Sequence, residues 1–369
     1  MPTTIDIEGG EVKKFPRTAV AILVIAVSAL GVAAATSAST KKVSAGAQVA
    51  VLLPDTQSSV RWETADRPFL SAAFKKAGLT SSIVNAQGSA TTQQTQAEQA
   101  ITNGAKVILL VNLDSGSGAT IEKNAKAHGV KVIDYDRLTL KGAASYYVSF
   151  NNVQVGMLQG QGLVNCLKAS GKYSQHPVIA ELNGSPTDNN ATLFAQGYNS
   201  VLNPLYANGT FKKGPNQSVP NWDNQKGLTI FEQMLQSTGN KIDGVDAAND
   251  GLGGAVISAL QARHLPKIPV TGQDATSAGI QHILSGDQCM TVYKAVRTEA
   301  NDAAALAISL LKGGKATGVN GKTNDGVRNV PSVLATPVAI TKANWDFPIK
   351  DGYLKRSDVC NGVYAKLCK

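Results

Sequence analysis

The sequence predicts an α/β fold of two doubly wound parallel-sheet lobes joined by a multi-strand hinge. Short β-branched runs alternate with longer amphipathic stretches, which is typical of parallel strands linked by crossover helices. This alternation restarts after Phe150, and a chain of 369 residues is long enough for two cores. A late apolar run over 333–340 is predicted to return across the junction as a further strand, which makes the hinge multi-stranded.

The N-terminal lobe is predicted to comprise residues 47–149 plus 292–333. Its first strands are expected over 49–53, 82–85, 106–111 and 131–135, and its helices over 65–77, 92–103 and 119–128. The strand over 131–135 is the most informative, because it ends in Asp136 and Arg137. Open α/β sheets bind their ligands at the carboxyl ends of the strands.

The C-terminal lobe is predicted to comprise residues 150–291 plus 334–369. The strand over 146–150 is followed by a fresh series of strands over 178–182, around Lys212, and over 244–248, 269–272 and 290–293. A strong helical pattern follows over 295–312.

The N-terminus indicates export. Lys13, Lys14 and Arg17 precede an apolar run over 19–35, and small residues follow through Ala38. This order matches a secretory signal, which would serve as a short membrane anchor if it were not cleaved. Residues 1–46 are therefore predicted to be a signal or anchor segment and a tether, and the protein is expected to be extracytoplasmic.

The cysteines agree with export. The four of them are even in number, lack the spacing of metal ligands, and are expected to form two disulfides in an oxidising compartment. Three connectivities are possible. Cys360 with Cys368 is favoured because the two are close in sequence, which leaves Cys166 with Cys289.

The charge pattern excludes a nucleic-acid partner. The net charge is +9, but the basic residues are scattered and no block of Lys and Arg is longer than two. Such a chain has a mildly basic, solvated surface and lacks the basic patch that binds phosphate backbones.

Polar side chains follow the predicted strands repeatedly. They are Asp55, Arg61, Trp62, Asn112, Asp114, Asp136, Arg137, Asn151, Asn152, Asp188, Asn189, Asn190, Asn249, Asp250, Gln273, Asp274 and Lys294, with Trp222 in reach. Planar carboxylate, amide and guanidinium groups can each engage two neighbouring sugar hydroxyls, and a flat aromatic ring suits the C–H face of a sugar. Asn and Asp also serve as helix caps in such loops. Together these residues predict a carbohydrate site.

Catalysis is not predicted. None of the four histidines lies at a strand end, and the sequence has no zinc-protease motif, nucleophile elbow or phosphate loop. No catalytic residue, metal or cofactor is therefore expected.

From about Ala47 onward, the chain resembles the type I periplasmic sugar-binding proteins of ABC importers, whose fold is the periplasmic binding protein-like I fold. Seven ordered motifs carry the resemblance: Arg61-Trp62, 135–138 (YDRL), 149–152 (SFNN), 184–191 (GSPTDNNA), 248–250 (AND), 272–275 (GQDA) and 291–294 (TVYK). The resemblance implies that the sugar is hydrogen-bonded by Arg61, Asp136, Arg137, Asn189 or Asn190, Asn249, Asp274 and Lys294. It implies that aromatic residues, here Trp62 and Trp222, flank the ring.

The resemblance also implies the function. We expect the chain to capture an aldose, D-xylose above all, and to deliver it as a monomer to ABC permease subunits. Membrane contact is expected only through the permease or the N-terminal segment. The motifs mix features of xylose-binding and multiple-sugar-binding members, so whether the ligand is a pentose or a hexose stays open. The alternatives are a multiple-sugar sensor that presents its sugar to a receptor, a sugar-responsive regulator-like domain, and a carbohydrate enzyme using Asp136 and Asp274.

Overall fold

The computed structural model describes residues 46–369, so the signal or anchor segment predicted at the N-terminus lies almost wholly outside the described residues. In chain order, the strands are β1 (Val49–Leu53), β2 (Ser81–Asn85), β3 (Val107–Leu110), β4 (Lys131–Tyr135), β5 (Tyr146–Phe150), β6 (Val178–Asn183), β7 (Lys212–Ser218), β8 (Gly244–Ala247), β9 (Thr291–Tyr293), β10 (Gly321–Asn324), β11 (Asn329–Ala335) and β12 (Val338–Ile340). The helices are α1 (Arg67–Lys76), α2 (Ala90–Thr102), α3 (Ser115–Ala127), α4 (Asn152–Ala169), α5 (Asn189–Ala207), α6 (Asn224–Ser237), α7 (Asp250–Ala262), α8 (Ser277–Ser285), α9 (Val296–Leu311), α10 (Phe347–Lys350) and α11 (Arg356–Val359).

The N-terminal lobe is built on a seven-stranded sheet in the order β10-β11-β5-β4-β3-β1-β2. All neighbours are parallel except β10 and β11. Helices cover both faces of a parallel sheet, so its central strands are apolar throughout. The residues of β1 and β3 are all buried, and the alanine-rich face of α9 packs against them.

The C-terminal lobe contains the sheet β7-β6-β8, whose neighbours are parallel, and the antiparallel pair β9-β12. Single parallel bridges extend it, from Val245 to Val270 and from Gln273 to Val292. The strand predicted over 269–272 is therefore reduced to one bridge at Val270. A second large core, which includes Phe194, Phe231 and Val256, fills this lobe.

The single strand predicted over 333–340 was wrong. The run over 333–340 is two strands, of which β11 pairs with β5 and β12 pairs with β9 in the other lobe. Pro337 lies between them and has no N–H to donate to a sheet, so a continuous strand through it is unfavourable. The break lets the chain pass from one lobe to the other.

Three short segments connect the lobes, at 150–152, 293–296 and 335–338. The predicted fold class, two parallel-sheet lobes joined by a multi-strand hinge, is thereby confirmed. The residue limits predicted for each lobe stay a prediction.

Both disulfides form with the favoured connectivity. Cys166 in α4 is bonded to Cys289, just before β9, and Cys360 is bonded to Cys368. The first joins two elements of the C-terminal lobe that lie 123 residues apart in sequence. The second closes a small loop near the C-terminus.

Candidate functional site

A cleft with about 310 Å³ of empty space lies where strands of the two lobes end. The cleft is lined by Ser58, Ser59, Arg61, Trp62, Asp136, Arg137, Asp188, Asn190, Phe194, Trp222, Asn249, Gln273, Asp274 and Lys294. Much of the strand-end pattern in the sequence thus corresponds to one shared space, whereas seven of its residues lie outside this lining: Asp55, Asn112, Asp114, Asn151, Asn152, Asn189 and Asp250.

Nine of the ten candidate ligand residues line this cleft, and Asn189 does not. Asn189 and Asn190 are the first two residues of α5, and successive side chains on a helix point about 100° apart. Only Asn190 lines the cleft, so of the two alternatives, Asn189 or Asn190, the geometry favours Asn190, and its ligand role stays a prediction.

Asp136 has an unusual backbone. Its φ is +62°, in the left-handed region that non-glycine residues rarely occupy. Hydrogen bonds stabilise this conformation. The Asp136 N–H donates to the carbonyl of Val148 over 2.8 Å. The Asp136 carbonyl accepts from the hydroxyls of Tyr147 and Ser149 over 2.9 and 2.8 Å. Strained backbone concentrates at functional sites, where the surrounding structure over-determines it. Here it aims the carboxylate into the cleft.

The Asp136 carboxylate lies between three partners. Arg61 Nη1 donates to its Oδ2 over 2.9 Å, Lys294 Nζ lies 3.6 Å from the same oxygen, and Asn190 Nδ2 donates to Oδ1 over 3.1 Å. Burial acts to raise the pKa of Asp136, but the charges of Lys294, Arg61 and Arg137 outweigh it, so the pKa is lowered. The group is an anion at neutral pH.

Arg61 is held mainly by protein carboxylates. Its Nε and Nη2 donate to the two oxygens of Asp66 over 2.8 Å each, and Nη2 also donates to Glu299. With the bond to Asp136, four of its five N–H groups are taken, which leaves one for a ligand. Asp66 and Glu299 were not singled out by the sequence, because neither follows a strand.

Lys294 reaches across the lobes. It follows β9 and is buried, with Nζ lying 3.4 Å from Asp274 and close to Asp136 of the other lobe. Burial acts to lower the pKa of Lys294, but the two carboxylates raise it overall, so it stays protonated. Asp274, like Asp136, has a left-handed backbone, with φ at +96°.

A second link between the lobes runs through Arg137. Its Nε lies 3.0 Å from Asp188 Oδ2, and the two groups form an ion pair without a hydrogen bond, because the N–H does not point at the oxygen. Its Nη2 donates to Ser58 Oγ over 3.0 Å. Asp188 also accepts from Trp222 Nε1 over 3.0 Å. This chain of contacts fixes both a guanidinium and an indole at the rim of the cleft.

The two tryptophans lie in different surroundings. The guanidinium carbons of Arg61 and Arg137 lie 4.6 and 5.5 Å from the centre of the Trp62 ring. Trp222 contacts the edge of Phe194 at a centroid distance of 6.4 Å. Phe194 lines the cleft but was not predicted, because it lies inside α5 rather than at a strand end. Ser58 and Ser59, in the loop after β1, also line the cleft and were not predicted as ligand residues.

The charges of the cleft balance. Within residues 46–369, its lining contains the cations Arg61, Arg137 and Lys294 and the carboxylates Asp136, Asp188 and Asp274. No group of three metal-ligating side chains lies close enough together in this part of the chain to hold an ion. The cleft therefore suits an uncharged, polar ligand that both donates and accepts hydrogen bonds.

The periplasmic binding protein domain matches residues 49–315. The chain belongs to the periplasmic binding protein family. It is 37% identical over 301 residues to the D-xylose-binding periplasmic protein of Escherichia coli, covering 81% of this chain and 88% of that protein. It is 33% identical to the multiple sugar-binding periplasmic protein SbpA of Azospirillum brasilense, covering 83% and 89%. The expected resemblance to the sugar-binding members is confirmed.

Solved structures agree with this membership. A carbohydrate transporter solute binding protein from Chloroflexus aurantiacus, in complex with D-glucose, superposes with a TM-score of 0.77 at 31% identity, covering 85% of this chain and 98% of that one. Membership of the family places this binding protein outside the cytoplasm, as expected. None of its helices within residues 46–369 is long and apolar enough to span a membrane.

Gly184 gives the binding protein room for Trp222. A Cβ at Gly184 would lie 2.0 Å from the indole ring, so Gly184→Ala must displace it. We expect sugar affinity to fall about tenfold, or about 1.4 kcal/mol, with a change in tryptophan fluorescence. Calorimetry and emission spectra measure both effects. Gly254→Ala is the control, since its Cβ would meet only His282 at 3.6 Å; equal affinities for the two variants would contradict a ligand role for Trp222.

Asp250 holds the turn that carries Asp274. Its Oδ2 accepts from Thr276 N over 2.7 Å, and its Oδ1 accepts from Thr291 and Gln288 over 2.7 and 2.8 Å. Burial, the largest effect, raises the pKa of Asp250 to about 7, against the hydrogen bonds from Thr291 and Gln288 that lower it. This buried carboxyl supports the site without lining the sugar cleft.

The raised pKa of Asp250 predicts a pH dependence of stability. The unfolded carboxyl titrates near about 4, so between about pH 4 and the folded pKa the native state binds more protons than the unfolded state. The free energy of unfolding should fall there by up to about 1.4 kcal/mol per pH unit as pH rises, and level off above pH 7. Denaturant titrations from pH 4 to 8 should show a steeper fall of stability in the wild type than in Asp250→Asn, because the substitution removes the share of this one carboxyl. Parallel curves for the two proteins would contradict the prediction.

Proposed function

We propose that this binding protein captures a neutral aldose in the cleft between its lobes and delivers it to an ABC permease, with D-xylose the first candidate. The observation that carries the proposal is the charge-balanced lining, three cations against three carboxylates in a space of about 310 Å³. A charged solute would leave one sign of buried charge unpaired, which is costly. A polyol replaces the existing contacts with equivalent hydrogen bonds.

Unused polar atoms support the proposal. Gln273 Oε1 is buried and has no hydrogen-bond partner among the described residues, while its Nε2 donates to Asp274. Asn249 uses its side-chain oxygen to cap α7, by accepting from Leu252 N over 2.9 Å, which leaves its amide N–H groups for a ligand. With the remaining N–H of Arg61, these atoms supply both donors and an acceptor. Hydrogen bonds to the charged groups are worth about 1.5–3 kcal/mol each.

The mechanism that we propose is hinge closure. Arg137 and Asp136 belong to the N-terminal lobe, and their partners Asp188 and Asn190 belong to the C-terminal lobe. A sugar that contacts both sets favours the closed state by its differential affinity for it. A permease can then distinguish loaded from empty protein by shape, with the binding protein acting as a monomer. No bond is made or broken in this cycle.

The identity of D-xylose rests on the relative that is 37% identical, while solved neighbours hold D-glucose. The test is calorimetry of the purified protein with D-xylose, L-arabinose, D-ribose, D-glucose and D-galactose. We expect D-xylose to bind in the micromolar range or tighter, which corresponds to about 8 kcal/mol or more. Tighter binding of a hexose would overturn the xylose assignment, and similar binding of several sugars would favour the multiple-sugar sensor.

Binding and turnover are separated by a second measurement. Mass spectrometry after prolonged incubation should recover the bound sugar intact. A cleaved or altered product would favour the carbohydrate enzyme, and failure of every sugar to bind would overturn the proposed function.

A further inference from the structure

A wide groove opens beside the sugar cleft. It contains about 1450 Å³ of empty space, and it shares Ser58, Ser59, Asn249 and Asp274 with the cleft. Because these residues line both spaces, a ring in the cleft has the groove directly next to it. The groove is bounded by both lobes and by residues 353–355 of the C-terminal tail.

The groove has the chemistry of a carbohydrate subsite. Gln57, Ser59, Asn224 and Ser277 line it, and none of their side chains makes a hydrogen bond within residues 46–369. They offer neutral hydroxyl and amide groups that match sugar hydroxyls. Val60, a residue that is 58% exposed, adds an apolar surface for the C–H face of a ring.

A second mouth beside the cleft differs. It is lined by Asp55, Asp114 and Asp188, whose carboxylates are already used. Asp55 accepts from the N–H groups after it, Asp114 caps α3, and Asp188 holds Trp222. That mouth offers fewer free partners, so an extension of the ligand fits better in the groove.

We propose that the groove is a second subsite, and that the protein also takes a sugar extended by a neutral glycosidic substituent, such as a disaccharide. This inference rests on the proposed function. One ring occupies the cleft, and the second lies against Val60 and the free polar side chains of the groove. The ligand class then includes short glycosides as well as free monosaccharides.

Calorimetry with two matched pairs tests the subsite: D-xylose with xylobiose, and D-glucose with cellobiose. We expect the disaccharide to bind within about tenfold of its monosaccharide or tighter, which is a difference of at most about 1.4 kcal/mol. If a monosaccharide binds and neither disaccharide does, the subsite is overturned and the proposed function stands. If neither monosaccharides nor disaccharides bind, the proposed function itself fails.

A variant that fills the groove makes the test specific. Ala278 lines the groove and is exposed, so Ala278→Trp is expected to lower disaccharide affinity at least tenfold and to leave monosaccharide affinity within twofold. Ala305→Trp is the matched control, because Ala305 is an exposed alanine of α9 that does not line the groove, and both affinities should persist. An equal loss of both ligands in Ala278→Trp, or no loss of the disaccharide, would overturn the subsite.

Discussion

Replacing Asp136 with alanine is expected to weaken sugar binding by roughly 2 kcal/mol or more, at least about thirtyfold. The carboxylate accepts hydrogen bonds from Arg61 and Asn190 and lies 3.6 Å from Lys294. Its removal leaves a buried ammonium and the sugar hydroxyls without their shared acceptor. The strained backbone at φ +62° is also expected to suit alanine less well than aspartate, since Asp is enriched in this region.

Calorimetry with the best sugar of the panel measures this loss. Asp136→Asn is the comparison, because it keeps the shape and one acceptor oxygen but removes the charge. We expect its affinity to lie between those of the wild type and Asp136→Ala. An unchanged affinity in the alanine variant would exclude Asp136 as a ligand contact.

Arg61→Ala is expected to destabilise the fold by about 3–5 kcal/mol, the cost of breaking a buried ion pair. Asp66, Glu299 and Asp136 all contact this guanidinium, and the side chains of Arg61, Asp66 and Glu299 are at most 1% exposed. Burial raises the pKa of Glu299 well above its usual range even with Arg61 present. Without the guanidinium, the remaining carboxylates would have to take up protons or open the lobe to water.

Denaturant unfolding at neutral pH measures this loss of stability. Lys350→Ala is the control, because the pair between Lys350 and Asp346 is largely exposed on the lysine side and should be worth less than about 1 kcal/mol. A similar, small effect in both variants would show that Arg61 contributes little to the fold. In that case, the main role assigned to Arg61 would be to bind the sugar directly.

Arg61 and Asp136 show which features of the site could be predicted from the sequence and which could not. The position after β4 pointed to Asp136 because parallel strands present their carboxyl ends at one edge. The same reasoning placed Arg61 at the cleft, and it does line it. It did not find that four of the five Arg61 N–H groups are used within the protein, since the partners Asp66 and Glu299 lie inside helical segments 233 residues apart.

The late strand is a second example. An apolar run over 333–340 predicted one strand, and local pattern alone does not reveal a change of sheet. Pro337 offered a signal, because it cannot take part in a continuous ladder. Which strand each half pairs with, β5 or β9, depends on the assembled lobes.

By itself the sequence determined the fold class and the strand ends that carry polar side chains, because alternation and strand polarity are encoded locally. It favoured the observed cysteine pairing among three possible ones. The tertiary structure alone decided which of these side chains share one cleft, which of them are hydrogen-bonded or ion-paired to other protein groups, and how the charges of the cleft balance. The physical reason is that pairing and desolvation are properties of three-dimensional neighbours. Residues as far apart as Arg61 and Glu299 acquire their roles only when folding removes water from between them.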